Sequence, residues 1–325
     1  MTNSESVDAT LLQLFNTAVF ADLQHTPQFY DKKPLLAHYT SIATLEAILR
    51  NNEFWFSNPL YMNDLEEVRF GINEGVTAFL SSGLIEAACG TKERATAFRQ
   101  SLSFTHSRFD REHAIDTYVF CLSEHDPSDT DGLLSMWRGY AANGNGVAIV
   151  FDTGKLIRRD DTPLIIAPVV YATTDARRQW ITDKINLLAD TLRATHVPDD
   201  KLFIPAFSFF ERLKMFALFT KHPGFREEKE WRAVYMPDRD IGKTFTHMID
   251  YAITSRGVEP KLKFKVAPLP GYIDDDMSLD KLVNRIILGP SISSPLAQAS
   301  IGKMFDRIAP ALKGRVIASS IPYRC

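Results

Sequence analysis

The sequence predicts an α+β fold with a mixed, mostly antiparallel sheet and flanking helices. Segments with the two-residue alternation of strands and segments with the helical period both recur along the 325 residues. They do not alternate regularly, which argues against a doubly wound parallel sheet. No repeat, low-complexity tract or clear linker interrupts the chain. We therefore predict one domain over residues 34–325, preceded by a helical extension over residues 1–33.

Helices are predicted where apolar residues recur at helical spacing. The helix after Thr40 or Ser41 is the clearest, because one of these residues caps it and Ile42, Leu45 and Ile48 share one face. Further helices are predicted at residues 9–21, from residue 63 or 64 to about residue 79, and at 84–108, 174–195, 205–220 and 295–312.

Strands are predicted in short runs of β-branched and aromatic residues. Residues 117–123 form the strongest candidate, and residues 147–151 follow a glycine-rich turn at 143–146. The other predicted strands lie at residues 35–39, 54–56, 164–171, 231–235, 262–266, 285–288 and 315–319.

Charge and cysteine content limit the function classes. The formal net charge of -3 gives no overall basic field, which argues against bulk binding of duplex nucleic acid but leaves room for a local basic groove. The three cysteines are widely scattered and suggest neither a zinc site nor a disulfide framework. The chain shows no signal peptide and no apolar run of membrane length. We expect a cytoplasmic protein without a membrane partner.

The most informative stretch runs from residue 224 to residue 235. Strand alternation places Glu228, Glu230 and Arg232 on one face, while Trp231 and Tyr235 lie on a second face that resembles core. Two carboxylates and a guanidinium in a row suit a cleft. The alternative is a salt bridge on an exposed strand face, which contributes little to stability.

Common catalytic and metal-binding motifs are missing from the sequence. There is no P-loop, no strand-coupled GxGxxG, no GxSxG and no HExxH. The eight histidines show no recognisable ligand spacing. We therefore expect no metal cofactor.

Polar residues at predicted strand ends form a second group of candidates. His38, Tyr39 and Thr40 lie at a strand-to-helix junction, where free helix N–H groups can meet an anion such as a pyrophosphate. Ser123 ends a predicted strand. A structural hydrogen bond for the histidine and a turn or cap for the serine are the alternatives.

A third group combines an aromatic ring, a guanidinium and a phenol. Ser135, Trp137, Arg138 and Tyr140 suit stacking on a base and pairing with a phosphate. Arg324 brings another cation to the same predicted cleft. The alternatives are a packed aromatic cluster with a structural arginine and a frayed chain end.

Seven short motifs follow one another along residues 36–324. They are His38-Tyr39-Thr40, Trp55 to Asn58, Asn63-Asp64, Cys121-Leu122-Ser123-Glu124, Leu134 to Tyr140 with Gly146-Val147, Phe225 to Arg232, and Ile321-Pro322-Tyr323-Arg324. This succession resembles the DUF2971 family of uncharacterised bacterial proteins. The resemblance implies a DUF2971-like α+β domain but no particular activity.

A more distant resemblance is to ADP-ribosyltransferases, which place a histidine or arginine, then a serine, threonine or tyrosine, then a glutamate on successive strands. His38, Ser123 or Ser135, and Glu228 with Glu230 occur in that order. The resemblance implies an ADP-ribosyltransferase-like fold in which His38 holds the nicotinamide-side ribose and the serine supports the site. Glu230 would stabilise the oxocarbenium-like centre as nicotinamide leaves, and Glu228 would orient or deprotonate the acceptor.

Two functions of different class are therefore expected. One is an NAD-dependent ADP-ribosyltransferase acting on a protein or nucleic-acid acceptor, as a toxin or anti-phage effector, with NAD as substrate. The other is a non-catalytic sensor or scaffold that binds a nucleotide or a partner. A phosphate-directed hydrolase is the weaker third, because the sequence shows no acidic cluster with metal-site character. The predicted catalytic residues are His38, Glu228 and Glu230, and the predicted binding residues are Tyr39, Thr40, Ser123, Ser135, Trp137, Arg138, Tyr140, Arg232 and Arg324.

Overall fold

The computed structural model describes residues 3–23, 29–62, 65–113, 116–156, 162–269, 273–274 and 276–323. Within these ranges the chain forms helices and a mixed, mostly antiparallel sheet, which confirms the predicted fold class. No helix in the described ranges is both long enough and apolar enough to span a membrane.

The predicted helices are present with ends shifted by several residues, except that residues 84–108 form two helices and not one. The helices at Phe29–Lys32, Leu134–Tyr140 and Leu279–Leu282 were not predicted. Ser41 is the residue that caps the helix after the first strand, and its Oγ accepts a hydrogen bond from the Thr44 N–H at 3.1 Å. The predicted cap at Asn63 or Asp64 lies outside the described residues. The helices are α1 (Asn3–Val19), α2 (Phe29–Lys32), α3 (Ile42–Asn51), α4 (Leu65–Ser81), α5 (Gly83–Cys89), α6 (Lys92–Arg108), α7 (Leu134–Tyr140), α8 (Thr174–Ala194), α9 (Phe203–Leu218), α10 (Leu279–Leu282) and α11 (Pro295–Ile308).

The strands include two that the sequence patterns did not predict, at Thr220–Lys221 and Ile249–Thr254. The predicted strand at residues 164–171 is divided after Pro168 into two strands that pair with different partners. The strands are β1 (Leu35–Thr40), β2 (Glu53–Ser57), β3 (Tyr118–His125), β4 (Val147–Asp152), β5 (Leu164–Pro168), β6 (Val170–Tyr171), β7 (Thr220–Lys221), β8 (Glu230–Tyr235), β9 (Ile249–Thr254), β10 (Gly257–Lys265), β11 (Val283–Leu288) and β12 (Val316–Ala318).

The chain divides into two compact units, each assembled from three separate segments. Unit 1 consists of Met1–Thr26, Pro59–Asp116 and Val170–Pro223, and unit 2 consists of Pro27–Asn58, Thr117–Val169 and Gly224–Cys325. The predicted extension over residues 1–33 and the predicted single domain over residues 34–325 stay predictions.

Unit 1 is helical and is built around α9. All residues of α9 except Phe203 and Phe207 are buried, and the helix packs against α1, α4 and α6. Asp22, just after α1, accepts hydrogen bonds from Lys184 at 2.8 Å and from Arg212 at 2.6 Å. Burial raises the pKa of Asp22, but these two cations outweigh that effect and lower it to about 2. The ionised carboxylate therefore holds the end of α1 to α8 and α9.

The described part of unit 2 contains a ten-stranded sheet. Its main order is β12-β11-β4-β1-β3-β2-β10-β9, and β8 pairs with β3 while β5 pairs with β8. Neighbouring strands are antiparallel except for β11 and β12, which are parallel. The predicted site residues that the structure describes all lie in this unit.

The sheet of unit 2 is covered on both faces. Leu36, Phe120 and Ala233 belong to a large apolar cluster on one face, which we call the large-core face. Ala37 and Tyr39 belong to a smaller cluster on the opposite face, which we call the α7 face because residues of α7 complete that cluster. Successive residues of a strand point to opposite faces, so each strand contributes to both clusters.

The turn between α7 and β4 requires glycine at a close crossing of backbones. Gly146 donates its N–H to the carbonyl of Ala141, and its own carbonyl accepts the N–H of Gly289, both at 2.9 Å. A Cβ atom at residue 146 would lie 2.2 Å from the carbonyl oxygen of Thr40. Because that neighbour is backbone, a larger residue here must displace the end of β1.

Replacement of Gly146 by alanine is expected to lower the free energy of unfolding by roughly 3 kcal/mol, because the added methyl group overpacks fixed backbone. Gly139→Ala is the matched control, since Gly139 lies in α7 with no atom within 4 Å of an added Cβ. The control should change stability by about 1 kcal/mol at most, in the stabilising direction. Chemical denaturation followed by circular dichroism measures the free energy of unfolding of both variants. Equal stability would contradict the close approach of the backbone at residue 146 to the carbonyl of Thr40.

Candidate functional site

Glu230 and Arg232 form a buried ion pair at the start of β8. Their side chains lie on the α7 face, because Ser123 and Cys121 are their partners across the β3–β8 ladder. The Nε atom of Arg232 lies 2.7 Å from Oε1 of Glu230, and the two side chains are 2% and 5% exposed. The alternation of the strand thus places them together as the sequence indicates, but on a face that is buried and not open.

Glu228 reaches the same region by another route. It ends a short 3-10 helix, Pro223–Glu228, and is separated from β8 by Lys229, whose φ of 45° turns the chain. Its Oε1 accepts a hydrogen bond from the phenol of Tyr140 at 2.8 Å, and its backbone carbonyl accepts one from Ser123 Oγ at 2.6 Å. Strand alternation therefore does not position Glu228.

Five of the predicted site residues thus form one connected group. We call Ser123, Tyr140, Glu228, Glu230 and Arg232 the acidic cluster. Tyr140 is its exposed member, with 44% of its surface accessible, and the other four are buried. The guanidinium of Arg232 balances the charge of Glu230 in a site from which water is largely excluded.

His38 lies on the opposite face of the sheet from Glu230. Its ring stacks on Phe120 of the large-core face with centroids 4.4 Å apart. Its Nδ1 lies 3.0 Å from the carbonyl oxygen of Cys121. Because a carbonyl can only accept, Nδ1 carries the proton and Nε2 is the basic nitrogen of the neutral ring. Burial lowers the pKa of His38, and this favours the neutral form.

Tyr39 and Trp137 are buried supports of α7. The Tyr39 hydroxyl accepts the N–H of Leu133 at 2.9 Å, and the indole N–H of Trp137 donates to the carbonyl of Asp131 at 2.8 Å. Their rings meet edge to face with centroids 4.9 Å apart. Burial raises the pKa of Tyr39 to about 12. Trp137 is fully buried, so its ring offers no surface on which a base can stack.

Arg138 lies on the surface and its guanidinium is held above an aromatic ring. Its Cζ atom is 5.3 Å from the centroid of Tyr323, a half-buried residue. An added Cβ at Gly144 would lie 3.1 Å from that ring, which shows how closely Tyr323 packs on the turn before β4. Arg138 and Tyr140 are two positions apart on α7, so their side chains leave the helix in different directions.

Three predicted binding residues belong neither to the acidic cluster nor to the contact between Arg138 and Tyr323. Thr40 is buried at the end of β1, on the same strand face as His38. Ser135 is half-buried in the first turn of α7. Arg324 lies outside the described residues. Sequence reasoning did not assign Tyr323 to the site, although its place beside a predicted binding arginine was an available signal.

The described residues contain no group of three or more histidine, cysteine, aspartate or glutamate side chains arranged to hold a metal ion.

A comparison with protein-family models gives one match within the chain. Residues 136–233 match the DUF2971 family. That family is described as a protein of unknown function. The predicted resemblance to DUF2971 is thus confirmed for this segment, which holds six of the candidate residues: Trp137, Arg138, Tyr140, Glu228, Glu230 and Arg232. No curated protein and no solved structure matches the chain significantly. The resemblance to ADP-ribosyltransferases stays a prediction.

Glu230→Gln is expected to lower the free energy of unfolding by about 3 kcal/mol, because it removes the charge that balances a buried guanidinium. Glu46→Gln is the matched control. Glu46 forms an ion pair with Arg50 at 2.8 Å in which both side chains are well exposed. Such a pair contributes about 0.5 kcal/mol or less. Urea denaturation measures both variants, and equal effects would mean that the pair on β8 is not buried as described.

The stability of the protein is expected to fall as the pH drops below 6.5, the ordinary pKa of histidine. The unfolded chain binds a proton at His38 near that pH, whereas the folded ring has a lowered pKa and binds one only at lower pH. The stabilisation is complete above pH 6.5 and is lost as the pH falls towards the folded pKa. Burial also lowers the pKa of His125, which contributes in the same direction.

The variant His38→Gln tests this pH dependence, because glutamine cannot titrate. Its free energy of unfolding should decline less between about pH 7.5 and about pH 5.5 than that of the wild type, with the His125 share remaining. Urea denaturation across this range gives the slope. Identical slopes for the two proteins would show that His38 titrates normally in the folded state.

Proposed function

We propose that this chain is a non-catalytic nucleotide-binding protein whose ligand contacts Arg138 and Tyr323. The observation that carries the proposal is the exposed guanidinium of Arg138 above the half-buried ring of Tyr323. A guanidinium suits bidentate pairing with a phosphate, and the contact with the Tyr323 ring holds this guanidinium in place.

Binding without chemistry is supported by the separation of the predicted catalytic groups. In the arrangement expected from the sequence, His38 and Glu230 would have to reach one ribose at the same time. His38 stacks on the large-core face, whereas Glu230 lies on the α7 face and is paired with Arg232. The β-sheet therefore lies between the imidazole of His38 and the carboxylate of Glu230, which would have to act on the same ribose.

ADP-ribosyl transfer from NAD to a protein or nucleic-acid acceptor is the second candidate, and one observation favours it. Ser123 and Tyr140 meet Glu228 and Glu230 in the acidic cluster, although the two pairs come from distant segments of the sequence. In this candidate Tyr140 would stack on nicotinamide, and Glu228, held by the Tyr140 phenol, would serve the ribose or the acceptor. His38 would have no direct role.

Calorimetric titration with ADP-ribose, NAD and ATP tests the proposed site. Arg138→Ala should weaken binding of the nucleotide by roughly 10- to 100-fold, because a charged hydrogen bond to phosphate contributes about 1.5–3 kcal/mol. The affinity of Arg138→Lys should lie between those of the wild type and Arg138→Ala, because lysine keeps the positive charge but cannot form two parallel hydrogen bonds to a phosphate. Arg307→Ala, which removes an exposed arginine of α11, is the matched control and should bind as the wild type does.

The same samples separate the two candidate functions. Nicotinamide release from NAD is measured in parallel with binding, for the wild type and for Glu228→Gln. Binding that depends on Arg138 without release supports the proposed function. Release that is lost in Glu228→Gln would establish the second candidate, and no binding of any of the three nucleotides would refute both.

A further inference from the structure

An apolar cavity lies on the large-core face of unit 2. Its volume is about 170 Å³, and eight aromatic side chains are among the residues that line it. Phe54, Phe120 and Phe151 come from three strands of the sheet. The ring centroid of Phe54 lies 5.4 Å from that of Phe120 and 5.1 Å from that of Phe151. Phe245 and Phe264 continue the wall. The cavity is therefore lined mainly by apolar side chains, both aromatic and aliphatic.

The few polar groups of the cavity do not suit a charged or strongly hydrated ligand. Thr153 donates its hydroxyl to the carbonyl of Pro34 and is satisfied within the protein. Thr162 and Asp274 are half-buried members of the lining. A water molecule needs two to four polar partners, so most of this volume is unfavourable for water.

The size of the cavity sets it apart from ordinary packing defects. Natural protein cores contain few voids larger than a water molecule, whose share of liquid volume is about 30 Å³. An engineered apolar cavity of about 150 Å³ in another protein stays dry and binds benzene. The cavity of unit 2 has a similar volume and a similarly apolar lining, so a single aromatic ring fits it.

We propose that this cavity is a binding site for a small, uncharged aromatic molecule. The site is separate from the proposed nucleotide contact, because Arg138 belongs to α7, which packs on the other face of the sheet. The ring of His38 stacks on Phe120, and Phe120 lines the cavity. Burial lowers the pKa of His38, which favours the uncharged imidazole next to this part of the lining.

Xenon and benzene are the probes that test this site in the full-length protein. Crystals pressurised with xenon should show a xenon atom within the cavity. Saturating benzene should raise the melting temperature by about 2–4 °C, because a ligand that binds only the folded state stabilises it. Absence of both effects in the wild type would overturn the proposal.

Two variants that fill the cavity establish the location of binding. Ala233→Met and Val266→Phe each enlarge a lining residue, and both should lose the xenon site and the benzene shift. Val266→Phe serves if Ala233→Met does not fold. Ile253→Met is the control, because Ile253 lies on β9, is 80% exposed and does not line the cavity. It should respond to benzene as the wild type does, and a full response in both filled variants would overturn the proposal.

Discussion

The register of β1, β3 and β8 is the constraint on which the arrangement of polar groups in unit 2 depends. Ala37 lies opposite Ser123, and Ser123 lies opposite Glu230. Residues directly opposite one another in neighbouring strands share a face, so Ser123 and Glu230 both lie on the α7 face. His38 follows Ala37 and therefore lies on the large-core face. The separation of the imidazole from the acidic cluster is thus a direct result of strand pairing.

The ion pair on β8 also favours this register over its alternatives. All six residues of β8 are buried, so both of its faces have to be filled correctly. A slip of one residue would move Glu230 and Arg232 among the aromatic side chains near Trp231. Transfer of each ion into such surroundings costs several kcal/mol, whereas on the α7 face the ions pair at 2.7 Å. The ion pair between Glu230 and Arg232 therefore disfavours a shifted strand register, even if it adds little net stability to the correct one.

Much of the fold could be predicted from the sequence, because periodicity is a local signal. The cap at Ser41, the strand pattern of residues 231–235 and the irregular succession of helices and strands all depend on neighbouring residues. Pro168 shows the limit of such patterns, since the break that it marks sends β5 and β6 to different partners. The class of fold survives an error of this kind, because the sheet remains mixed and mostly antiparallel.

The candidate site was less predictable, because it depends on pairings between residues far apart in the sequence. Glu230 and Arg232 have the pattern of an exposed strand face, and local sequence does not reveal that a second layer covers them. The positive φ of Lys229 removes Glu228 from the strand, and such a turn has no clear sequence signal at a lysine. The face on which His38 lies follows from pairing with residues more than 80 positions away.

The discontinuous composition of the two units has a consequence for the order of events at the ribosome. The core of unit 1 is built around α9, which begins at Phe203, although the first segment of this unit ends at Thr26. At roughly 5–20 residues per second, about 10–35 s separate the synthesis of these two segments. During this interval α1 has been synthesised but its main packing partner, α9, has not. In the same way, β1 is synthesised before its partner strands β3 and β4. Neither unit is a contiguous stretch that vectorial synthesis could complete before the other begins. The last segment of unit 1 ends at Pro223, before the last segment of unit 2 is made, so unit 1 is expected to become complete first.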